Sequence, residues 1–426
     1  MTVVQLRRVA TTRVSNVNKH SVEGEPAVRL CNYTDVYNNR VITADLPFMA
    51  ATASPERVTA FRLLDGDTVI TKDSETAEDI GVAAYIDQPP SDLICGYHLA
   101  ILRPGPLLHP RFLTWSMRSG PVRECLASNA TGMTRVGLTY DAIDRSPIHL
   151  ASLEVQRKIA DFLDDQISRI DRVVSARREQ AALADSTFDR LVLEAIGGAR
   201  ACEDRRPSGL PWLGTVPASW PVLPVSSQFD TALGKMLDER RQTGAHPLPY
   251  LRNMNVQWDR IEIHDLKVMD IAPSDYTRYT VRAGDLLICE GGQPGRAAIW
   301  DGAITPLGFQ KALHRARSRG RSEPRWLLHC LRAAVAMNAF AGENGVTTIG
   351  HLTGEQLRAQ RFPFPDPQVQ RILVAELDDA MAQRDQLKAG LARSTALLSE
   401  YKQSLITAAV TGDFDAATAS GRRIPE

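Results

Sequence analysis

The residues best suited to chemistry are two adjacent aspartate pairs, Asp164-Asp165 and Asp378-Asp379, and one glycine-rich run, Gly291-Gly292-Gln293-Pro294-Gly295-Arg296. Clustered carboxylates can hold a divalent metal, and a glycine-rich loop can cradle phosphate with its backbone N–H groups. The spacing supports neither use. Both aspartate pairs fall in helical stretches, where neighbouring residues point in different directions, so they read as solvated helix faces. The glycine run lacks the Lys-Ser/Thr that completes a phosphate loop, and reads as a hairpin or loop tip. Cys31, Cys95, Cys125, Cys202, Cys289 and Cys330 form no CxxC pair and no Cys/His cluster with zinc spacing. They read as scattered reduced thiols, and no metal site is expected.

Catalytic motifs are equally scarce. Neither HExxH nor GxSxG occurs. Gln88-Pro89-Pro90-Ser91 carries the two prolines of the Asn/Asp-Pro-Pro-aromatic motif of amino-methyltransferases without its first or last residue, and reads as a turn. No catalytic constellation is expected. The 426 residues allow two or three domains, and their 50 basic and 50 acidic side chains cancel. Neutrality argues against a histone-like coat of positive charge, but leaves room for a basic face offset by acidic residues elsewhere. The opening residues MTVVQLRRVATTRV lack the apolar core of a signal peptide, and no run of about 18 apolar residues occurs, so a cytoplasmic protein with no membrane contact is expected.

What the sequence does contain is a repeat. Pro110-Arg111-Phe112-Leu113 resembles Pro324-Arg325-Trp326-Leu327, 214 residues on. Thr134, Leu138 and Thr139 match Thr348, Leu352 and Thr353 at the same offset, as do Val155-Gln156-Arg157 and Val369-Gln370-Arg371. Upstream, Gly66-Asp67 matches Gly284-Asp285 at an offset of 218. Each half therefore carries the same fold in the same order, with four extra residues in the first copy.

Each copy opens with short apolar runs (68–71, 99–102, 286–289 and 297–300) separated by turn residues, which predicts strands. Residues 111–118 and 325–337 follow a proline and read as short helices. Each copy ends in a long helix of about 40 residues, roughly 60 Å. Leu163, Ile167, Ile170, Val174, Arg177, Ala181, Ala184, Phe188, Leu191 and Ala195 alternate steps of four and three, the seam of a coiled coil with a polar break at Arg177. Leu387, Leu391, Ser394, Leu398, Tyr401 and Leu405 give the second helix the same steps, with Gly390 costing about 1 kcal/mol relative to Ala. Two such stripes most simply pack on each other. The reading is an α+β protein in which two strand-rich domains are joined by two long helices packed as an antiparallel coiled coil with a pseudo-two-fold repeat. Its bounds are 1–146 and 199–363 for the domains, 147–198 and 364–412 for the helices, and 413–426 for a tail.

These features resemble the specificity subunits of type I restriction-modification systems. The run Leu153-Glu154-Val155-Gln156-Arg157-Lys158-Ile159-Ala160-Asp161-Phe162-Leu163-Asp164 is similar to that family's conserved helix opening, with Val155 where the family prefers Glu. Residues 369–377 give a second, degenerate copy. Residues 403–412 resemble the family's C-terminal signature, and Gly209-Leu210-Pro211-Trp212-Leu213-Gly214 its entry to a second recognition domain.

The resemblance implies a non-catalytic, sequence-specific DNA-binding subunit that reads a bipartite, asymmetric site, one half-site per domain. It implies two methyltransferase subunits docked on the helices, and admits a restriction/translocase subunit as a further member. S-adenosylmethionine and ATP/Mg are then expected on the partners, with no cofactor on this chain. Half-site centres about 10 bp apart would suit two readers on one face of DNA, with the helices as ruler. Polar tips flanking the strands are the candidate readers. In the first copy these are Lys72, Ser74, Glu75, Thr76, Tyr97, His98, Asn129, Thr131, Thr134 and Arg135; in the second, Gln293, Arg296, Gln310, Lys311, His314, Asn344, Thr347 and Thr348. A methylation-only system is an alternative within the class, and a coiled-coil scaffold bearing two β-rich binding modules is one outside it.

Overall fold

The computed structural model describes residues 1–237, 244–340 and 350–414. Contacts gather into two units, Met1–Arg178 with Ala392–Glu426, and Glu179–Leu391.

In the first unit, the strand Thr68–Thr71 is buried along its whole length, as a β-branched run enclosed on both faces requires. It pairs antiparallel with Leu99–Pro104 and Ala83–Ile86. The full sheet runs Ala10–Val14, Leu99–Pro104, Thr68–Thr71, Ala83–Ile86, Val41–Ile42. A smaller sheet holds Met49–Thr52, Ala27–Cys31 and Leu93–Cys95. Helices Pro110–Met117 and Gly120–Asn129 join the larger sheet in one core, through Phe112, Leu113, Trp115, Val122 and Leu126. Both start on or next to a proline, whose missing N–H costs nothing in a first turn.

The second unit repeats this order. Its main sheet runs Phe229–Leu233, Leu313–Ser318, Leu286–Cys289, Ala297–Ile299, and helix Pro324–Ala336 packs in its core through Trp326, Leu327 and Leu331. Residues 291–296 are the tip of the hairpin between Leu286–Cys289 and Ala297–Ile299.

The repeat extends to individual hydrogen bonds. Gly66 and Gly284 both take φ +87°, a conformation that favours glycine. The aspartate after each is buried, and a strand arginine grips it with two hydrogen bonds: Arg103 on Asp67 at 2.8 and 2.7 Å, Arg317 on Asp285 at 2.7 and 2.6 Å. The glutamine of each helix opening is also fully buried. Gln156 accepts from the His109 backbone N–H and donates to the Ala151 carbonyl; Gln370 accepts from Glu323 and donates to Pro365. Each glutamine thus locks the first turn of a long helix to the loop that precedes the short one.

The long helices are Leu153–Ile196 and Pro367–Thr411. Inside the first unit they run antiparallel, Phe162 meeting Phe414 and Asp171 meeting Lys402. Inside the second unit they also run antiparallel, Arg200 meeting Glu376 and Asp185 meeting Lys388. Leu163, Ile167, Ile170 and Phe188 are buried as the spacing predicts, and Val174 packs at the edge of the first unit's core.

The second helix departs from its predicted phase. Leu391 and Leu405 are buried and Leu398 packs on the core, but Leu387 and Tyr401 are half exposed. Lys388 and Lys402, one position later, take the inward places and pair with aspartates across the seam. A lysine stem can cover apolar surface while its ammonium reaches a carboxylate, so a charged residue can hold a seam position that a hydrophobic template assigns to its neighbour.

Candidate nucleic-acid interface

In the first unit, strand pairing gathers most of the candidate readers. The short strand Asp73–Ser74 pairs with Val136–Gly137, which brings residues 72–76 beside residues 131–137. The Lys72 backbone N–H donates to the His98 carbonyl, and the Leu138 N–H to the Lys72 carbonyl. Lys72 Nζ donates to Asp73 Oδ2 at 2.9 Å, and His98 Nδ1 lies 2.8 Å from the same oxygen. Burial works to raise the Asp73 carboxyl, but Lys72 and His98 outweigh it and hold the group below its ordinary value. The Tyr97 and His98 rings lie 3.5 Å apart, centre to centre. Glu75, Thr76, Thr131, Thr134 and Arg135 are exposed around this core. Ser74 is buried and faces inward, next to Tyr33. Asn129 ends helix Gly120–Asn129 and is exposed, with one N–H of its amide donating to the Cys125 carbonyl.

Two further groups join this surface that the spacing does not single out. Tyr33 stacks on Tyr37 at 5.5 Å and senses Ser74, Glu75 and Arg135; burial is the main cause of its raised hydroxyl. Exposed Asn18, Lys19 and His20 follow Val17, whose carbonyl accepts from the Tyr97 N–H at 3.0 Å. Their only sequence signal is a polar run with no apolar period.

The second unit builds the corresponding end differently. Gln293 is exposed at the hairpin tip and Arg296 donates to the Asn253 carbonyl at 3.2 Å. Asn253 in turn donates to the Gly291 carbonyl at 2.9 Å. Asn253 Oδ1 and Arg296 Nε are buried without a hydrogen-bond partner among the described residues, unused capacity at the foot of the tip. Gln310 bridges to Lys235, and Lys311 is exposed next to it. His314 is placed differently from its expected role as a reader. It is 1% exposed and its Nε2 lies 2.7 Å from the Leu352 carbonyl, because the strand Leu313–Ser318 lies between Phe229–Leu233 and Leu286–Cys289 and is covered on both faces over its first four residues. Asn344, Thr347 and Thr348 lie outside the described residues.

The aspartate pairs are also corrected. Asp164 is a hub, not a solvated face. It accepts from Arg40 at 2.9 Å, Arg111 at 2.7 Å and the Trp115 indole at 3.1 Å. Asp378 does the same work for Arg325, with His329 3.4 Å away. These partners stand about fifty residues or more earlier in sequence, beyond the reach of a helical-face argument. Asp165 pairs with Arg169 on the surface, and Asp379 is exposed. Among the described residues, no group of His, Cys, Asp and Glu could hold a metal ion.

Comparison with known proteins draws these features together. Over 422 residues the chain is 22% identical to the EcoKI type I restriction enzyme specificity subunit of Escherichia coli K12, covering 96% of this chain and 87% of that one. A chain from a structure of a type I restriction-modification system, described for its assembly and conformational transition, superposes with a TM-score of 0.70 at 19% identity, over 97% of this chain and 98% of that one. This chain is a relative of the type I specificity subunits. The HsdS subunit of Thermoanaerobacter tengcongensis shares the same fold, with a TM-score of 0.52, 18% identity and 97% of each chain covered. The EcoBI specificity subunit of Escherichia coli is 32% identical over 76 residues, 18% of this chain and 16% of that protein. No family model matches. As in those relatives' fold, strand-rich bodies alternate with long helices, and the α+β architecture with an internal repeat follows. No helix among the described residues is long and apolar enough to cross a membrane.

Proposed function

We infer that this chain is the non-catalytic DNA-specificity subunit of a type I complex, with residues 1–146 and 199–363 each reading one half of a split, asymmetric site. The observation that carries this reading is the repeated frame with unlike tips. Asp67–Arg103 and Asp285–Arg317, Gln156 and Gln370, Arg111–Asp164 and Arg325–Asp378 recur at equivalent places. The polar groups carried on that frame differ: half-buried Lys72, Tyr97 and His98 with exposed Thr134 and Arg135 in one copy, exposed Gln293 and Lys311 with half-buried Arg296 and Gln310 in the other. One scaffold with two tip sets suits two half-sites of different sequence. Lys and Arg at these tips would hold phosphate oxygens, and amide, hydroxyl and guanidinium groups would read base edges.

The long helices would carry two methyltransferase subunits, with a restriction/translocase subunit as a further member. S-adenosylmethionine and ATP/Mg would belong to those partners and not to this chain.

Gln293 tests the assignment of tips to half-sites. It is exposed at a hairpin tip, so Gln293→Ala should leave the fold intact. Methylation mapping of a strain carrying the variant is expected to show relaxed preference in the half-site of the second copy, by roughly the tenfold or more that one good base contact is worth. A change confined to the other half-site would refute the assignment.

A further inference from the structure

We propose that Met133 makes an apolar contact with a DNA base and sets specificity in the half-site of the first copy; this rests on the DNA-reading function above. Met133 is fully exposed, the most exposed large hydrophobic side chain among the described residues. A single exposed apolar residue needs no explanation, but this one stands on a built support. Thr131 and Gly137 exchange both backbone hydrogen bonds, at 3.1 and 2.9 Å, which closes the base of the loop. Gly137 is then fixed to the body by pairing with Asp73. At the turn, Gly132 takes φ +140°, and a Cβ there would collide with the Arg135 carbonyl. The turn therefore demands glycine and presents Met133 outward, followed by exposed Thr134 and Arg135.

An apolar tip flanked by a hydroxyl and a guanidinium suits a base step in a groove. The polar groups meet phosphate or base edges, while methionine meets a thymine methyl or a base face. Its unbranched, polarisable side chain adapts to either surface. The second unit also carries exposed methionines at its tips: Met236 beside Lys235, and Met254 beside Asn253. The residue 214 positions after Met133 is Thr347, so the second copy does not repeat this methionine at the equivalent place.

The test uses the full chain assembled with its methyltransferase subunits, titrated against a duplex bearing the site mapped for the wild type. Met133→Gln keeps the length of the side chain and removes its apolar character, while Met133→Leu keeps that character. The expected result is roughly tenfold weaker binding for M133Q, lost discrimination at one base of the first half-site, and binding within about twofold of wild type for M133L. Wild-type binding by M133Q, with an unchanged motif, overturns this inference and leaves the DNA-reading function standing. A wild-type assembly without sequence preference overturns both.

Discussion

His314 sits in a strand core with its Nε2 against the Leu352 carbonyl, and burial pushes its imidazole below the usual value near 6.5. The hydrogen bond to Leu352 and, less strongly, the charge of Glu290 work in the opposite direction without overcoming burial. A histidine with a depressed folded-state pKa favours folding fully above its unfolded pKa, and that contribution is lost as pH falls below about 6.5 toward the folded value. Buried His329 is shifted in the same direction and should add to the effect. The thermal midpoint is therefore expected to fall between pH 7.5 and 5.5, and His314→Gln should reduce that fall without abolishing it. Equal slopes for wild type and H314Q would contradict this account of the residue. A sequence lists His314 beside Lys311 and Gln310 with nothing to separate them; only the long-range pairing that encloses the strand Leu313–Ser318 between two neighbours, burying its first four residues, does so. The same limit hides the roles of Asp164 and Asp378, whose equivalent partners Arg111 and Arg325 lie 53 residues away, with Arg40 124 residues from Asp164. By contrast, the glutamines at 156 and 370 were visible as a repeated motif, although their role as buried locks was not.

At the level of the element, the helix pair is set by polar groups as much as by leucines. Lys402 reaches Asp171 and Lys388 reaches Asp185, each at 2.5 Å, and Arg384 covers the Phe188 ring at 4.5 Å. These side chains are partly exposed, so each pair contributes about 0.5–1 kcal/mol at most. Their larger effect is on pairing: a register slip would set a lysine against leucine and leave an aspartate unmatched. Asp171→Lys is expected to lower stability by about 1 kcal/mol in denaturant titrations, and the charge-swapped D171K/K402D chain should recover most of it. A double variant no better than the single one would show that the pair does not select the register. The first helix was legible over most of its length because Leu163, Ile167, Ile170 and Phe188 are apolar and buried; at its end Val192 and Ile196 are buried, one position after the predicted Leu191 and Ala195. The second was read one position out at Leu387 and Tyr401, because lysines hold its true seam positions and a hydrophobic template passes over them.

For the whole molecule, the repeat was the most legible feature, since a constant offset requires no knowledge of contacts. Sheet order, short helices and long helices all follow it in both units. The candidate reading surface was only partly legible. Tyr33 and residues 18–20 reach it through strand pairings with distant segments, and no local pattern marks them. The neutral net charge suits the proposed function, in which partner subunits would supply the remaining phosphate contacts. The measurement closest to the central claim is a map of methylated adenines in the host genome with this gene present and deleted. A split motif of two unlike half-sites, separated by a fixed spacer and found only when the gene is present, is the predicted result. An identical methylation map in both strains, or a gene-dependent motif with a single uninterrupted half-site, would contradict it.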